Sequence, residues 1–372
     1  MNHKEIKLFY ASNSIFTFAS SIIGIFIPLY LFEKGFSLSL IILFFVITQF
    51  SRLIFLPVSA WLSSAIGAKK IIGLSFVVSI IFYLILDKID YLSNGFYLSA
   101  LIYGIVHAFF YLPFLVHLSK MSPDNNRGKI LGKFNIFLAI AGALGPILGG
   151  IIISSYGFSA GFSTVIVFLV PAILLLLLTP EISKIRKINF RIINIKKIYP
   201  DLIANGFLNF QIFLSYAVWP IFIFLIVSEY DRVGLIQTIS LFVSIVVFYV
   251  LGIWVDKFDR KKILLWGSLF SFFADIMRVF ASSFASVLLL NTSSVAFEKA
   301  KRMAWDAKIQ EHMDREPRTE YICFFEIGGT FVAFILLILF MLLIQSFSLK
   351  DALFCGIIIS SLSGIFINLI RK

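Results

Sequence analysis

The chain has 372 residues, of which 60% are apolar and only 14% charged; its mean hydropathy is +0.98 and its formal net charge +12. So few polar side chains cannot clothe a soluble domain of this size, and the composition specifies an integral membrane protein. On a soluble chain the positive charge would suggest nucleic acid; here its meaning depends on where it lies.

Twelve spanning helices of about 20 residues or more are predicted. They cover 8–32, 38–64, 71–87, 95–118, 134–155, 159–179, 202–228, 234–255, 263–283, 286–308, 321–345 and 350–370. The first follows Lys4 and Lys7, is too long for a signal-peptide core, and is not followed by a small-residue cleavage site. It carries Asn13. The second carries Gln49 and Arg52, and the fourth carries Tyr103, His107 and Tyr111 at i, i+4 and i+8, a single stripe. The fifth contains "AGALGPILGG" at 141–150. The segment 181–200 is rich in Lys and Arg and links the sixth and seventh spans. It reads either as an amphipathic helix on anionic lipid or as a solvated linker that fixes topology. The seventh span aligns Asn205, Asn209 and Tyr216. "GIWVDKFDRKK" at 252–262 closes the eighth. The ninth holds Asp275 and Arg278, the tenth Asn291, Glu298, Lys299 and Arg302, and the eleventh opens near Glu326. The remaining gaps are short, except the one around 309–320.

Of the 32 Lys and Arg, 26 fall on the side of the two termini when Lys299, Lys301 and Arg302 at the end of the tenth span are counted there and 23 when they are not, four fall on the other side, and Arg52 and Arg278 lie deep within spans. The asymmetry predicts cytoplasmic termini in a plasma-membrane protein. It also assigns the charge to a membrane surface, with no nucleic-acid partner. Cys323 and Cys355 give no disulfide framework. The four His (His3, His107, His117, His312) have no metal-ligand spacing, and no nucleophile–base pairing appears. No cofactor, metal or enzymatic activity is expected.

An ungapped offset of 192 relates the two halves of the sequence. It maps Asn13 to Asn205, Pro28 to Pro220, Lys69 and Lys70 to Lys261 and Lys262, and His107 to Lys299. Six spans per half give a parallel repeat, with an N-terminal half at 1–180, a linker at 181–200 and a C-terminal half at 201–372.

Over its whole length this pattern resembles the major facilitator superfamily of secondary transporters. Gly252, Asp256, Lys257, Arg260 and Lys261 match that family's motif A, with Asp259 where Gly is usual. In the first half only Ala60, Gly67 and Lys69 approximate it, and Ser64 replaces the acid. Gly145, Pro146, Gly149 and Gly150 resemble motif C, the antiporter motif, and "NRGKILG" at 126–132 resembles the loop after the fourth span. The resemblance implies an all-α fold of two pseudo-symmetric six-helix halves, working by alternating access. It further implies that Asp256 belongs to a cytoplasmic gate held by ion pairs and a helix N-terminus, although a solvated turn fits the same letters.

In that family the first, fourth, seventh and tenth spans line the central cavity. The resemblance therefore places Asn13, Tyr103, His107, Tyr111, Asn205, Asn209, Tyr216, Asn291, Lys299 and Arg302 along a substrate path, and Arg52 is added as a charge at membrane depth. Glu298, Glu326 and His107 are the candidate proton carriers, since the first span holds no acid. Blander readings stand beside these: ordinary packing for the tyrosines, a satisfied buried His107, an i,i+4 pair of Glu298 with Arg302, and a helix-start acid at Glu326. The ninth span is peripheral in the family, which implies a structural role for Asp275 and Arg278. Positive interior charge from Arg52, Lys299 and Arg302 favours an anionic or zwitterionic substrate over a lipophilic cation. The expected function is proton-linked export of a small molecule by a monomer in the bilayer. Proton symport of an organic anion or sugar is one alternative. A lipid flippase of the same fold is another, which a lateral opening between spans 5 and 8 or 2 and 11 would favour.

Overall fold

In lipid every backbone amide must be satisfied within the chain, so long apolar runs fold as helices. The computed structural model describes the backbone of residues 3–121, 127–179, 193–255 and 260–371, and side chains at 7–117, 136–179, 193–247 and 261–371. The helices are α1 (His3–Gly24), α2 (Ile27–Glu33), α3 (Leu38–Ile66), α4 (Ala68–Asp87), α5 (Gly95–Met121), α6 (Arg127–Leu177), α7 (Ile195–Val227), α8 (Tyr230–Val255), α9 (Arg260–Met277), α10 (Phe284–Asp314), α11 (Arg318–Leu343) and α12 (Leu349–Phe366). Ten segments among the described residues are long and apolar enough to cross a membrane, and one of them, Ile136–Leu177, is 42 residues long. That segment crosses twice, turning at Gly157, whose φ of 80° suits glycine. The charged α10 completes twelve crossings. An even number puts both termini on one face, here called the termini face.

Three boundaries differ from the sequence expectation, each for a local reason. The first span breaks after Gly24, and Pro28 opens α2, where a missing amide costs nothing. The helix of the seventh span begins at Ile195, inside the expected linker. Half of the expected gap at 309–320 is the end of α10. Its charges pair at helical spacing, Arg315 with Glu311 and Arg318 with Asp314, while Trp305, Ile309 and Met313 are buried on the inner side. The seventh residue beyond that run, Glu320, already lies in α11.

The apolar faces pack within each half: α1 on α6, α3 and α4 on α5, α7 on α11 and α12, and α10 on α8 and α9. Between halves the main contacts are α6 with α8 and α3 with α11. Under the offset of 192, spans 2 and 5 map to spans 8 and 11, so these two seams are related by the pseudo-two-fold. The Tyr216 hydroxyl donates to the carbonyl of Gly24, two positions 192 apart. A contact between repeat equivalents has to lie near that axis.

The seams differ in chemistry. Along α6, glycines bring backbones into contact. A Cβ on Gly145 would sit 1.9 Å from Ser21 Oγ and one on Gly149 1.8 Å from Ile22 O, both in α1 of the same half, whereas one on Gly150 would lie 2.5 Å from Tyr230 O across the α6–α8 seam. Gly234 of α8 meets the Pro146 carbonyl in the same way, at 2.2 Å. Ile147 N donates to Thr238 Oγ1 at 3.1 Å across the seam. These small residues permit backbone approach without an apolar driving force. The α3–α11 seam instead holds a buried ion pair, Arg52 Nη2 to Glu326 Oε2 at 2.5 Å, above an apolar patch of Leu56, Ala60 and Cys323.

At the termini face, buried Asp201 of α7 accepts from Tyr321 (2.8 Å), His312 (3.0 Å) and the Arg371 backbone (3.0 Å). Arg371 also reaches Glu316 at 2.9 Å, which pairs with Lys197 at 2.7 Å. The end of the chain is thereby tied to α7, α10 and α11.

Candidate functional site

A cavity of about 520 Å³ lies between the halves near mid-membrane. Its walls come from α1, α4, α5, α6, α7, α8, α9 and α10. The i, i+4, i+8 stripe of α5 faces it as an aromatic wall. Tyr103 meets His107 edge-on with centroids 4.5 Å apart, and His107 stacks on Tyr111 at 5.4 Å and 5°. Such offset and edge contacts are the favoured aromatic geometries. His107 Nε2 is buried and has no hydrogen-bond partner among the described residues. Opposite, α7 presents Gln211, Tyr216 and Trp219, and α10 presents Asn291, Glu298 and Lys299.

Two charge networks line the C-terminal wall. In the first, Arg278 pairs with Asp275 at 3.2 Å and donates to Asn291 Oδ1 at 2.9 Å. Its guanidinium lies 4.4 Å from the Trp219 ring centroid. Trp219 Nε1 donates to the same Asn291 oxygen at 2.8 Å, and Asn291 Nδ2 donates to Ser240 at 2.8 Å. Ser294 completes the carboxylate of Asp275. In the second, Glu298 pairs with Lys301 and accepts from Gln211 and Ser271, each at 3.2 Å. Lys301 in turn donates to Gln211 Oε1 at 2.9 Å. Charge at this depth is costly, and both networks meet the cost by pairing and hydrogen bonding.

Tyr103, His107, Tyr111, Tyr216, Asn291, Glu298 and Lys299 therefore converge on one cavity, and Pro146 joins its lining. Five expected residues turn elsewhere. Asn13 donates to Phe9 O at 2.8 Å, Asn205 donates to Phe325 O at 2.9 Å, and Asn209 does not line the cavity. Arg302 pairs with Asp306 at 3.2 Å rather than with Glu298. Arg52 is taken up by Glu326, its guanidinium 5.7 Å from the Tyr111 ring centroid. Glu326 lies more than two turns into α11, so a helix-start role does not explain it. Sequence reasoning passed over Gln211, Trp219 and Lys301, and it set Asp275 and Arg278 at the periphery, whereas this pair lines the cavity. The signal was there in part: two opposite charges three apart in an apolar helix pair with each other and face protein rather than lipid.

Of the motif A match, Asp256 and Lys257 lie outside the described residues, and Gly252 and Arg260 are described by their backbone alone. Lys261 is exposed in the first turn of α9. "NRGKILG" likewise has no described side chains. In the first-half counterpart, Gly67 ends α3 at φ 105°, and Lys69 donates to the Thr179 carbonyl.

Two solved structures share this architecture. A D-xylose-proton symporter superposes with a TM-score of 0.74 at 14% identity, covering 96% of this chain and 95% of its own. The nucleoside transporter NupG does so with a TM-score of 0.72 at 10% identity, covering 99% and 100%. No curated protein sequence matches the chain. The family profile of the Major Facilitator Superfamily matches residues 9–228, more than half of the chain, and the protein belongs to that superfamily.

Proposed function

We propose that the protein is a proton-linked secondary transporter that moves a small polar organic solute through the cavity by alternating access. The observation that carries this reading is the cavity wall itself. It pairs flat aromatic faces (Tyr103, His107, Tyr111, Trp219) with amides (Gln211, Asn291) and with two carboxylates, Asp275 and Glu298, each held by a cation. Stacking faces and convergent polar groups suit a ring-bearing solute. A carboxylate bound to a single Lys at membrane depth can exchange that partner for a proton, and Glu298 is the coupling site on this reading. Both halves, 1–180 and 201–372, contribute walls, so rocking them about the basic linker 181–200 would expose the cavity to each face in turn. The charge asymmetry supports cytoplasmic termini in a plasma membrane.

For direction we favour export by antiport, supported by the close glycine packing of Gly145, Pro146, Gly149 and Gly150 in the motif C match. Proton symport is the second reading, supported by the hydrogen-bonding, sugar-compatible lining and by the fold shared with a sugar–proton symporter. The lipid-flippase reading loses support: the α6–α8 and α3–α11 seams, where a lateral opening was sought, are both packed.

The test is reconstitution into liposomes containing a pH-sensitive dye, with a solute library added under an imposed pH gradient. A substrate should move protons. Glu298→Gln should retain solute exchange and lose gradient-driven accumulation. Full accumulation by that variant removes Glu298 from coupling, and no proton movement with any solute refutes the proton-linked reading.

A further inference from the structure

The charge balance of the cavity bears on the class of solute. Asp275 is cancelled by Arg278, and Glu298 by Lys301. Further along α10, Arg302 is cancelled by Asp306, and Arg52 behind the aromatic wall is cancelled by Glu326. Lys299 lines the cavity, yet among the described residues no hydrogen bond or ion pair reaches it. Its charged neighbours are Glu298, Arg302 and Asp306, each engaged with another partner. Among the described residues, Lys299 is thus the one charged lining residue without a counter-charge of its own.

An unpaired cation at membrane depth is costly. It becomes favourable where a counter-charge meets it in a low-dielectric space. A second polar group in the same cavity also lacks a protein partner, the buried Nε2 of His107. Its ring is stacked on Tyr111. The cavity thus offers one uncompensated positive charge, one unused hydrogen-bonding nitrogen and a flat aromatic face.

We propose that Lys299 is the anchor for a single negative charge on the solute, and that the carried species is a cyclic organic monoanion of carboxylate type whose ring lies against His107 and Tyr111. This rests on the transport reading above and narrows it. A neutral solute would leave Lys299 unpaired, a cationic one would add a second like charge, and a dianion would leave a negative charge over. The tally also revises the sequence-level expectation of an anionic substrate: of the three cations it invoked, Arg52 and Arg302 are neutralised, and only Lys299 remains.

The experiment uses two trios of probes matched in ring and size: benzoate, benzamide and benzylamine; and indole-3-acetate, indole-3-acetamide and tryptamine. Binding to the purified full chain is measured by calorimetry near neutral pH. At least one acid should bind ten-fold or more tightly than its amide and its amine. Lys299→Gln should shrink that margin to under two-fold by weakening the acid alone, and Lys299→Arg should restore it. Gel filtration establishes that both variants are folded; if Lys299→Gln is not, Lys299→Arg and Lys299→Met carry the comparison. The proposal is overturned if neither acid binds, if an amide or amine binds as tightly as its acid, or if the margin survives loss of the ammonium. Proton movement by neutral or cationic library solutes alone would also overturn it and leave the transport reading intact. Silence from every solute class would instead count against the transport reading.

Discussion

The ion pair between Arg52 and Glu326 gives the sharpest prediction for stability. Both side chains are buried, at 5% and 9% exposure, and they join α3 of one half to α11 of the other. Glu326→Leu leaves the guanidinium without a counter-charge, and its Nε already has no partner. The cost should be about 3 kcal/mol, from the insertion cost of a lone Arg and from measured losses on breaking buried pairs. The Tyr111 face at 5.7 Å recovers only a fraction of that. Arg52→Met alone should cost a similar amount. The double variant removes both charges and should return to within about 1 kcal/mol of wild type, so the two changes couple by several kcal/mol. Reversible unfolding in mixed micelles, followed by tryptophan emission, measures all four corners of the cycle. Cys323 is a native reporter, buried on the same seam with Leu56 and Ala60. In a Cys355→Ser background, maleimide should label it faster in Glu326→Leu than in the parent. Additive single-variant costs, or singles below about 1 kcal/mol, would refute the assignment of a stabilising buried pair.

Gly149→Ala should destabilise by about 2–3 kcal/mol, because its Cβ would lie 1.8 Å from a backbone oxygen of α1 and only helix displacement relieves it. Gly142→Ala, whose Cβ meets Thr17 Cγ2 at 3.5 Å, should fall within about 0.5 kcal/mol of wild type in the same unfolding assay. Asn291→Ala removes the acceptor shared by Trp219 and Arg278 and the donor to Ser240. It should cost about 2–4 kcal/mol and change the near-ultraviolet dichroism of the Trp219 site. At the termini face, burial raises the Glu316 pKa, but hydrogen bonds and charge from Lys197 and Arg371 outweigh it and hold the pKa below its ordinary 4.5. A depressed folded pKa contributes stability above the unfolded value and loses it as pH falls through the folded one. Thermal midpoints should therefore drop more steeply below about pH 4.5 for the wild type than for Glu316→Gln.

What the sequence disclosed is what local spacing controls. Spans follow from runs of apolar residues, and the meeting of Tyr103, His107 and Tyr111 follows from a four-residue period, whatever the rest of the fold. The partner of Glu298 was harder to find. Lys301 and Arg302 stand three and four residues away on the same face. Gln211 of α7 decides between them, because it bonds both Glu298 and Lys301. The three-residue spacing of Asp275 and Arg278 signals that they pair and face protein, but which wall they meet depends on how α9 and the turn after it are rotated against α10, which the spacing does not report. The pair of Arg52 and Glu326 spans 274 positions. The repeat gave no hint of it, since the offset of 192 carries Arg52 to Ser244 and Glu326 to Phe134.

That last mismatch has a physical consequence. The two seams are equivalents under the pseudo-two-fold, yet one is held by backbone contact and the other by charge. The glycine seam of α6 and α8 gains from dispersion and hydrogen bonding at close range, and such contact is forfeited within an ångström of separation. The Arg52–Glu326 seam is held by an interaction that decays slowly with distance and that water can replace. Opening the first seam requires backbones to part. Opening the second requires that two charges find other partners, and the groups available lie beside the aromatic wall of the cavity. Tyr111 touches Arg52 on one face and, through its stacked contact with His107, forms that wall. On the proposed transport reading, a solute pressed against the wall would act one residue away from the pair that joins the halves, and it would bias the charged seam before the glycine one.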